Sequence, residues 1–532
     1  MSKNHHVNNA NNTYHAFSTF FSELTTHQKW LVTAFVLLKV VLIFMVPLTG
    51  DEAYFITWGQ HLALGYYDHP PAVGWVLYLL GQISDSLVWY RAFAFVSAII
   101  LAYLIYKLIK LAKDTSENTA LWVALAFFVS PISLMFVVTA NDTVLVLFSM
   151  LGLYFFAKAL QNQKWVDVLL AGLLLGMAFL SKYFAAFMLI GLILYALWQW
   201  KQINFKQLLV MVFIVLLAVA ENLYFNATHC WNNILFNFFS RTEASHFEIG
   251  NVISYLLMIV LLLSPVGMWY WFKNRKMQSQ PKLESQAELT ASQFVNPNQL
   301  VVFAALPLLL VLLVVSFTNQ VGLHWPLISV TALYVLYRTL TVQQLQKLFV
   351  INGYFSVLVA VVILVALSLV NQLIKPTQKH HLAVYVQPQN VCEKIAKVQT
   401  SPSFFTLGYS SQSTLSYHCG NDNIHVFAST SKYGREDDKL TNFKALNGKN
   451  LQILITQDKD LNQVEKFFKR FSITPLKIDD STTYYWFVGE EFNYDLYREK
   501  VLKPVNEKFY TAPDWFPKVK DGCGFKQKYD FE

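Results

Sequence analysis

Eleven long apolar runs, separated by short polar segments, fill most of the chain up to Pro376. A helix that crosses a bilayer needs about 20 mostly apolar residues, so each run predicts a membrane span. The run at 326–340 is short, which leaves ten or twelve spans as alternatives. The predicted spans are approximately 30–48, 91–112, 119–139, 143–160, 165–181, 183–200, 207–225, 251–272, 299–317, 326–340 and 348–371.

The two ends of the chain do not follow this pattern. Residues 1–28 are polar and have neither an apolar signal region nor a small-residue cleavage site, which predicts a disordered cytoplasmic leader. Residues 377–532 alternate helical stretches, such as Asp460–Phe471, with strand-like runs. Those runs are Ser403–Gly408, Leu451–Thr456 and Thr483–Val488. We therefore predict a membrane domain at 29–376, with an outer loop at 49–90, and a soluble α/β or α+β domain at 377–532.

The composition agrees with a polytopic α-helical membrane protein. Hydrophobic residues make up 55% of the chain and charged residues 14%, and the mean hydropathy is +0.37. Soluble proteins carry about 25% charged residues, so a water-soluble globule, a disordered chain and a disulfide-stapled miniprotein are excluded. No basic groove with interleaved aromatic residues is present, so we expect no nucleic-acid partner.

The distribution of Lys and Arg predicts the orientation of the spans. One set of loops contains thirteen of these residues, and the opposite set contains only Arg91, Lys182 and Arg241. Short loops rich in positive charge face the cytoplasm. The N-terminus is therefore expected in the cytoplasm and the C-terminal domain in the periplasm, with the spans in the inner membrane of a Gram-negative cell.

The four cysteines all fall on the outer, oxidising side of this topology, where disulfides persist. Four thiols allow three complete pairings. We favour Cys392–Cys419, within the C-terminal domain. None of the four cysteines has the spacing of a metal site.

Polar residues gather at the outer ends of the spans, which indicates a site at the outer interface of the membrane. They come from five different loops or span ends. These residues are Asp51, Glu52, Asp68, His69, Asp85, Arg91, Asp142, Lys182, His229, Arg241, Glu243, His246 and His324.

Two acidic residues of this set, Asp51 and Asp142, are the candidates for a catalytic pair. An acid in the first turn of a helix is favoured by the helix dipole, which is the structural alternative for Asp51. Asp142 has the alternative of capping a helix that starts at Thr143. Thr49 and Glu52 have the spacing of a capping box, which favours a structural role for Glu52. We expect Asp51 and Asp142 to share one cavity beside the outer leaflet.

Two basic side chains are candidates for contacts to a lipid head group. Lys182 lies in a tight outer turn, where it either extends to the interface or binds an anionic head group. His324 precedes Trp325, which is typical of an interfacial aromatic belt, and a ligand or hydrogen-bonding role is open for this histidine.

The first outer loop resembles that of bacterial family 39 glycosyltransferases, which include protein O-mannosyltransferases and the aminoarabinose transferase of lipid A. The similarity extends in consistent order from about Trp30 to Arg338. The matching motifs are Gly50-Asp51-Glu52-Ala53-Tyr54, Gly65-Tyr66-Tyr67-Asp68-His69-Pro70-Pro71, Asn141-Asp142-Thr143, Gly176-Met177-Ala178-Phe179-Leu180-Ser181-Lys182-Tyr183, Glu221-Asn222 with His229 and Trp231, Arg241, and His324-Trp325-Pro326.

The resemblance implies a GT-C membrane enzyme that moves a sugar from a polyprenyl phosphate to an acceptor at the outer face, with inversion at the anomeric carbon. It implies that Asp51 is the main catalytic carboxylate and Asp142 the second acid of the site. Asp68 falls where relatives have an acid that can bind a metal, so a divalent ion, with His229 as a second ligand, is a possible cofactor. His69 falls where the aminoarabinose transferase has a phosphate-binding lysine, and a neutral histidine is a weaker phosphate ligand.

Glycosyl transfer requires a base for the acceptor hydroxyl and cations beside the departing phosphate. Asp51 provides the base. The predicted substrate- and phosphate-binding residues are Glu52, Tyr67, His69, Lys182, Arg241 and His324. We expect a polyprenyl-phosphate-linked sugar as donor, lipid A or other lipopolysaccharide as the favoured acceptor with protein as the alternative, and a monomer in the bilayer.

Two other classes of protein remain as alternatives. A lipid-linked-sugar flippase or transporter also places ionisable residues near spans, although transporters place them at the bilayer midplane and on broken helices. A non-catalytic assembly protein that binds a lipid head group is the second alternative. Loss of turnover with retained lipid binding, on replacing Asp51, distinguishes an enzyme from both.

Overall fold

A computed structural model describes residues 18–112, 114–240, 246–278, 295–373, 376–517 and 522–531. Residues 1–17 of the predicted leader, and Arg241, lie outside the described residues. Residues 18–23 are helical, and Phe20 and Leu24 are buried. Ordered packing thus begins inside the stretch that the sequence assigns to a disordered leader, because apolar side chains there find a buried position.

The chain divides into two compact units, each built from three chain segments. The first unit comprises the described residues of Met1–Met45, Val88–Ala218 and Ser245–Leu364. It is helical, and its helices are Thr26–Met45, Leu87–Ile109, Glu117–Phe128, Pro131–Leu134, Asn141–Asn162, Trp165–Phe179, Ala185–Trp198, Phe205–Thr228, Ile249–Leu262, Pro265–Gln278, Pro297–Ser316, Leu327–Leu333, the 3-10 helix Tyr334–Thr339, and Val342–Ser368. Leu87–Ile109 begins, and Phe205–Thr228 ends, in the second unit.

Within the described residues, six helices are long and apolar enough to cross a membrane. A seventh span results if Ile249–Leu262 and Pro265–Arg275, which meet at 82°, count as one. The polytopic helical architecture is therefore confirmed, whereas the count of eleven spans stays a prediction. Four predicted spans contain shorter helices. At 119–139 the reason is local, because Ser130 caps a new helix that begins with Pro131, a residue that cannot continue the preceding one.

Small residues allow close helix contacts in the first unit. A Cβ atom on Gly191 would overlap the backbone carbonyl of Phe303, so the helix Ala185–Trp198 lies directly against Pro297–Ser316. A Cβ atom on Gly152 would lie 2.7 Å from the side chain of Leu175. Such close approach of backbones is typical of helices that pack within a bilayer, where van der Waals contact drives association.

The second unit comprises the described residues of Val46–Leu87, Val219–Ala244 and Val365–Glu532. It therefore joins the predicted outer loop and the end of one long helix to the C-terminal domain. Its helical segments are Gly50–Gln60, Ala72–Gly81, Asn232–Phe238, Val370–Leu373, Pro376–Val386, Pro388–Ala396, Tyr409–Cys419, Asp437–Leu440, Phe443–Leu446, Asp458–Asp460, Leu461–Val464, Glu465–Phe467, Tyr494–Tyr497, Arg498–Leu502, Lys503–Phe509 and Gly524–Tyr529.

One mixed sheet of five strands organises the C-terminal part of this unit. The strands are β1 (Phe404–Thr406), β2 (Ile424–Val426), β3 (Leu451–Ile455), β4 (Phe468–Lys477) and β5 (Thr483–Phe492), in the order β2-β1-β3-β5-β4. β1 is parallel to β2 and β3, and β5 is antiparallel to β3 and β4. The predicted α/β or α+β class and its three strand-like runs are thus confirmed.

Both faces of the sheet are covered, as the alternation of buried side chains requires. Phe405 of β1 and Ile453 of β3 belong to one buried apolar cluster, whereas their neighbours Phe404 and Leu454 belong to a second. Successive side chains of a strand point to opposite faces, so each cluster packs on one face. The predicted helix at Asp460–Phe471 is wrong beyond Phe467, because the chain from Phe468 pairs with β5 as strand β4.

Two disulfides stabilise the second unit. Cys392–Cys419 is present, as the sequence favours, and Cys230 is bonded to Cys523 over a sequence separation of 293 residues. The backbone N–H of Cys230 also donates to the carbonyl of Gly522 at 2.9 Å. The chain that follows the long helix Phe205–Thr228 is thereby bonded to the C-terminal segment.

Candidate active site

Asp51 lies in the first turn of the helix Gly50–Gln60, with its side chain exposed. Thr49 caps this helix, since its Oγ1 accepts a hydrogen bond from the backbone N–H of Glu52 at 3.2 Å. The hydroxyl of Tyr409 donates to Asp51 Oδ1 at 3.1 Å. The cap predicted from the Thr49 spacing is therefore confirmed, and the Asp51 carboxylate is both solvent-accessible and held by a hydrogen bond.

Tyr409 reaches Asp51 because two helices begin side by side. A Cβ atom on Gly50 would lie 2.6 Å from Ser410 Cβ, so the close approach requires glycine. The ring of Tyr54, one turn after Gly50, packs against the ring of Tyr409 at 4.9 Å. Burial, and then the charge of Asp51, raises the pKa of Tyr409 well above its usual range, so this phenol remains a hydrogen-bond donor.

Three of the predicted substrate-binding residues, Glu52, Tyr67 and His69, are buried in the second unit. Glu52 is 1% exposed and Tyr67 is fully buried. The ring of Tyr67 packs against Phe236 and Tyr510, and among the described residues its hydroxyl has no hydrogen-bond partner. A substrate-binding role of Tyr67 stays a prediction, and this burial favours a packing role instead.

The loop with the Asp-His-Pro-Pro motif is held through its backbone. The N–H of Tyr66 donates to the carbonyl of His69 at 3.0 Å, which closes the loop. The side-chain amides of Asn233 and Asn237 donate to the carbonyls of Tyr66 and Asp68, each at 2.8 Å. Asp68 and His69 are both largely buried. The i, i+4 spacing of the two asparagines on the helix Asn232–Phe238 is the only sequence signal of this support.

The C-terminal domain also supports the outer loop through Glu436. Its Oε2 accepts from the backbone N–H of Tyr67 at 2.7 Å, and its own N–H donates to the hydroxyl of Tyr54 at 3.1 Å. Lys439 pairs with Glu436 Oε1 at 2.6 Å. Sequence reasoning missed Tyr409 and Glu436 because neither belongs to a local motif.

His229 stands directly after the helix Phe205–Thr228 and stacks on Phe225, with ring centroids 4.2 Å apart. Its Nδ1 lies 2.9 Å from the carbonyl oxygen of Phe225. Burial, and then the charge of Lys439, lowers the pKa of this imidazole. Within the described ranges no group of three or more His, Cys, Asp or Glu side chains is suitable for a metal ion, so the predicted pair of Asp68 and His229 does not form part of such a cluster.

The first unit contains a second set of predicted residues, centred on Asp142. Lys182 Nζ lies 2.9 Å and 3.0 Å from the two carboxylate oxygens of Asp142. Asp142 is 7% exposed and Lys182 is 4% exposed. The pair is therefore a buried, two-contact ion pair.

Helix capping does not account for Asp142. The helix Asn141–Asn162 starts two residues earlier than predicted, with Ala140 at the N-cap, and Thr143 Oγ1 accepts from the N–H of Ala140 at 3.3 Å. The interpretation of Asp142 as N-cap is therefore wrong. Its partner is Lys182, 40 residues away.

His324 completes this set. Its Nε2 lies 3.9 Å from Asp142 Oδ2, and its side chain is 47% exposed. Phe184 contacts both Lys182 and Trp325, the residue after His324. Lys182 Nζ lies 5.1 Å from the centroid of the Phe184 ring, and the Trp325 ring centroid lies 5.6 Å from it. The structure thus brings Asp142, Lys182 and His324 together, with one exposed imidazole beside a buried ion pair.

Asp51 belongs to the second unit and Asp142 to the first. A cavity shared by the two carboxylates stays a prediction. The role of Arg241 in phosphate binding also stays a prediction, because this residue lies outside the described part of the chain.

Comparison with known proteins agrees with the resemblance seen in the outer loop. The family model for dolichyl-phosphate-mannose-protein mannosyltransferase matches residues 68–225. The lipid A galacturonosyltransferase RgtD of Rhizobium johnstonii is 27% identical over 183 residues, which is 34% of this chain and 38% of that protein. The aligned part thus spans well under half of the length of that relative.

Solved structures extend the similarity to almost the whole chain. The crystal structure of ArnT from Cupriavidus metallidurans bound to undecaprenyl phosphate matches with a TM-score of 0.59 at 13% identity, covering 86% of this chain and 97% of that one. The apo form of the same protein matches with a TM-score of 0.58 at 13% identity, covering 87% and 98%. The chain therefore has the fold of this GT-C structure, and the resemblance to GT-C glycosyltransferases related to ArnT is confirmed.

Proposed function

We propose that this protein is a membrane glycosyltransferase that moves a sugar from a polyprenyl-phosphate donor to an envelope acceptor, with Asp51 as the catalytic carboxylate. The strongest support is the fold shared with ArnT along 97% of that chain, in a structure bound to undecaprenyl phosphate. The family model and RgtD, both glycosyltransferases by description, support the same reaction class.

The chemistry requires one base and a stabilised leaving group. The acceptor hydroxyl oxygen attacks the anomeric carbon, the bond between that carbon and the phosphate oxygen breaks, and polyprenyl phosphate leaves with the electron pair. Asp51 accepts the hydroxyl proton, for which an exposed carboxylate in hydrogen-bond reach is suited. Attack from the face opposite the phosphate inverts the anomeric centre.

Cations lower the barrier by stabilising the charge that collects on the departing phosphate. Lys182, Arg241 and His324 are the groups we assign to this role, with His69 as a weaker contact. Asp142 holds Lys182 in place, because Lys182 Nζ lies 2.9 Å and 3.0 Å from its two carboxylate oxygens. We therefore assign Asp142, the second acid of the site, the role of orienting this cation.

The acceptor we favour is lipid A or another lipopolysaccharide, with protein as the alternative. RgtD, a lipid A galacturonosyltransferase by name, supports a glycolipid acceptor. We propose that the outer loop, the disulfides and the C-terminal domain face the periplasm, because the loops of the opposite side have most of the Lys and Arg residues, which is typical of cytoplasmic loops. A divalent ion at Asp68 is not required by this mechanism.

The test is a turnover assay with the full-length protein in lipid nanodiscs. Undecaprenyl-phosphate-linked hexose, amino sugar and aminopentose are supplied with lipid A, and the product is read by mass spectrometry. We expect a sugar-sized mass increase on lipid A with one of the donors. Asp51→Asn should abolish it, whereas Asp85→Asn, which changes another exposed outer-loop carboxylate, should retain it.

The same assay separates the alternatives. A flippase or a head-group-binding protein has no turnover to lose, so absence of product with every donor, on both lipid A and periplasmic protein acceptors, contradicts the proposal. Product formation that persists in Asp51→Asn contradicts the role of Asp51. Donor binding, measured with a spin-labelled undecaprenyl phosphate, should be retained in that variant.

A further inference from the structure

The first turns of two helices meet at Asp51, one from the outer loop and one from the C-terminal domain. Gly50 opens the helix Gly50–Gln60, and a Cβ atom there would lie 2.6 Å from both Cβ and Oγ of Ser410. Ser410 is the second residue of the helix Tyr409–Cys419. This contact leaves no space for a side chain between the two helix starts, so the position of Tyr409 relative to Asp51 is determined by backbone packing.

The ring of Tyr409 is fixed on two sides. On one side it packs against Tyr54 at 4.9 Å, with the ring planes at 60°. The hydroxyl of Tyr54 in turn accepts from the backbone N–H of Glu436 at 3.1 Å. On the other side the ring lies against Gly434, where a Cβ atom would overlap it, and Gly434 has a φ of +69° that favours glycine. A ring held in this way directs its hydroxyl in one direction.

That direction is Asp51. The Tyr409 hydroxyl donates to Asp51 Oδ1 at 3.1 Å, across 358 residues of sequence. We propose that Tyr409 is a positioning residue for the catalytic carboxylate: it holds Oδ1 and thereby directs Oδ2 to the acceptor hydroxyl. The C-terminal domain is then part of the catalytic machinery. This inference rests on the proposed function, since it assigns a role toward the base of that reaction.

A hydroxyl on a carboxylate acts through orientation and charge. A bound oxygen cannot rotate freely, so the carboxylate enters the Michaelis complex already oriented, and misplacement of a reacting group is costly in rate. The burial that raises the pKa of Tyr409 keeps the phenol protonated, so it remains a hydrogen-bond donor. Neither effect changes the affinity for the polyprenyl-phosphate sugar, because Tyr409 acts on the catalytic base, Asp51.

The test compares Tyr409→Phe with Tyr417→Phe. Tyr417 lies on the same helix and its hydroxyl also bonds the outer loop, but to the backbone carbonyl of Asp85, at 3.0 Å. Phenylalanine keeps the ring contact with Tyr54 in the first variant. We expect Tyr409→Phe to lower kcat by about 10- to 100-fold, the usual effect of losing a hydrogen bond to a charged group, with KM for both substrates within about two-fold. Tyr417→Phe should match the wild type.

The double variant Asp51→Asn/Tyr409→Phe isolates the coupling between the two residues. If Tyr409 acts through Asp51, its removal costs nothing further in the Asp51→Asn background, so the double variant should be as slow as Asp51→Asn alone. Tyr409→Phe should unfold at the same temperature as Tyr417→Phe. A loss of packing between the two helix starts would instead lower the unfolding temperature together with kcat.

The outcomes separate this inference from the proposed function. Wild-type kcat in Tyr409→Phe, together with an inactive Asp51→Asn, overturns the positioning role and leaves the enzyme assignment in place. A raised KM with unchanged kcat also overturns it, because that pattern belongs to a binding residue. Full turnover in Asp51→Asn overturns the role of Asp51 as base and with it the positioning role of Tyr409, and it leaves the glycosyltransferase reaction in place.

Discussion

The ion pair between Asp142 and Lys182 allows a quantitative test of how the first unit is stabilised. Both side chains are at most 10% exposed, and the ammonium contacts both carboxylate oxygens within 3.0 Å. Removing one partner from a buried pair leaves an uncompensated charge, which costs about 3–5 kcal/mol. Replacing both partners removes both charges and is often close to neutral.

We therefore expect unequal and non-additive effects. Asp142→Asn should lower the free energy of unfolding by about 3–5 kcal/mol, because the buried Lys182 ammonium loses the carboxylate that it contacts at two oxygens. Lys182→Met should cost less, because the exposed imidazole of His324, with its Nε2 3.9 Å from Asp142 Oδ2, can take up a proton beside the carboxylate. The double variant should recover at least about 2 kcal/mol relative to the sum of the single effects.

The measurement is equilibrium unfolding in mixed micelles, followed by circular dichroism and extrapolated to zero denaturant. Lys110→Met is the matched control: Lys110 Nζ also lies 2.9 Å from a carboxylate oxygen, of Glu117, but the two side chains are 32% and 37% exposed. Such a surface pair is worth about 0–1 kcal/mol. Single effects at Asp142 and Lys182 as small as the control, or a double variant equal to their sum, would refute the burial argument.

Three further predictions concern the second unit. Replacing Cys230 and Cys523 by serine should lower the free energy of unfolding by about 2–5 kcal/mol and expose the C-terminal segment to protease under oxidising conditions, where the wild type resists. Tyr67→Phe should retain full activity and should be at least as stable as the wild type in calorimetry, because it removes a buried hydroxyl that lacks a partner among the described residues. A loss of donor affinity in this variant would instead indicate that Tyr67 contacts the substrate. Burial and Lys439 lower the pKa of His229 below 6.5, so at this residue the unfolded state binds more protons than the folded state. The free energy of unfolding should therefore fall as the pH drops from 6.5 through the lowered folded pKa. His229→Gln should flatten this part of the pH profile.

Much of the architecture could be predicted from local patterns. Apolar run length indicates a membrane span, short strand-like runs indicated the strands β1, β3 and β5, and the spacing of Thr49 and Glu52 indicated a helix start. These predictions succeed because each depends on residues close together in sequence, whose burial or hydrogen bonding is set by their own periodicity. The helix predicted at Asp460–Phe471 failed for the converse reason: β4 exists because β5 pairs with it, and no pattern inside β4 shows that partner.

The sequence by itself determined that this chain is a polytopic membrane protein, with acids and bases at the outer span ends and a resemblance to GT-C transferases. Only the tertiary structure decided which of those groups touch. Lys182 meets Asp142 across 40 residues, and Tyr409 meets Asp51 across 358. Such pairs depend on how helices from distant segments pack, and here glycines such as Gly50 and Gly434 permit that packing by their lack of a side chain. Composition and spacing do not encode that geometry, because it arises only when the segments are brought together.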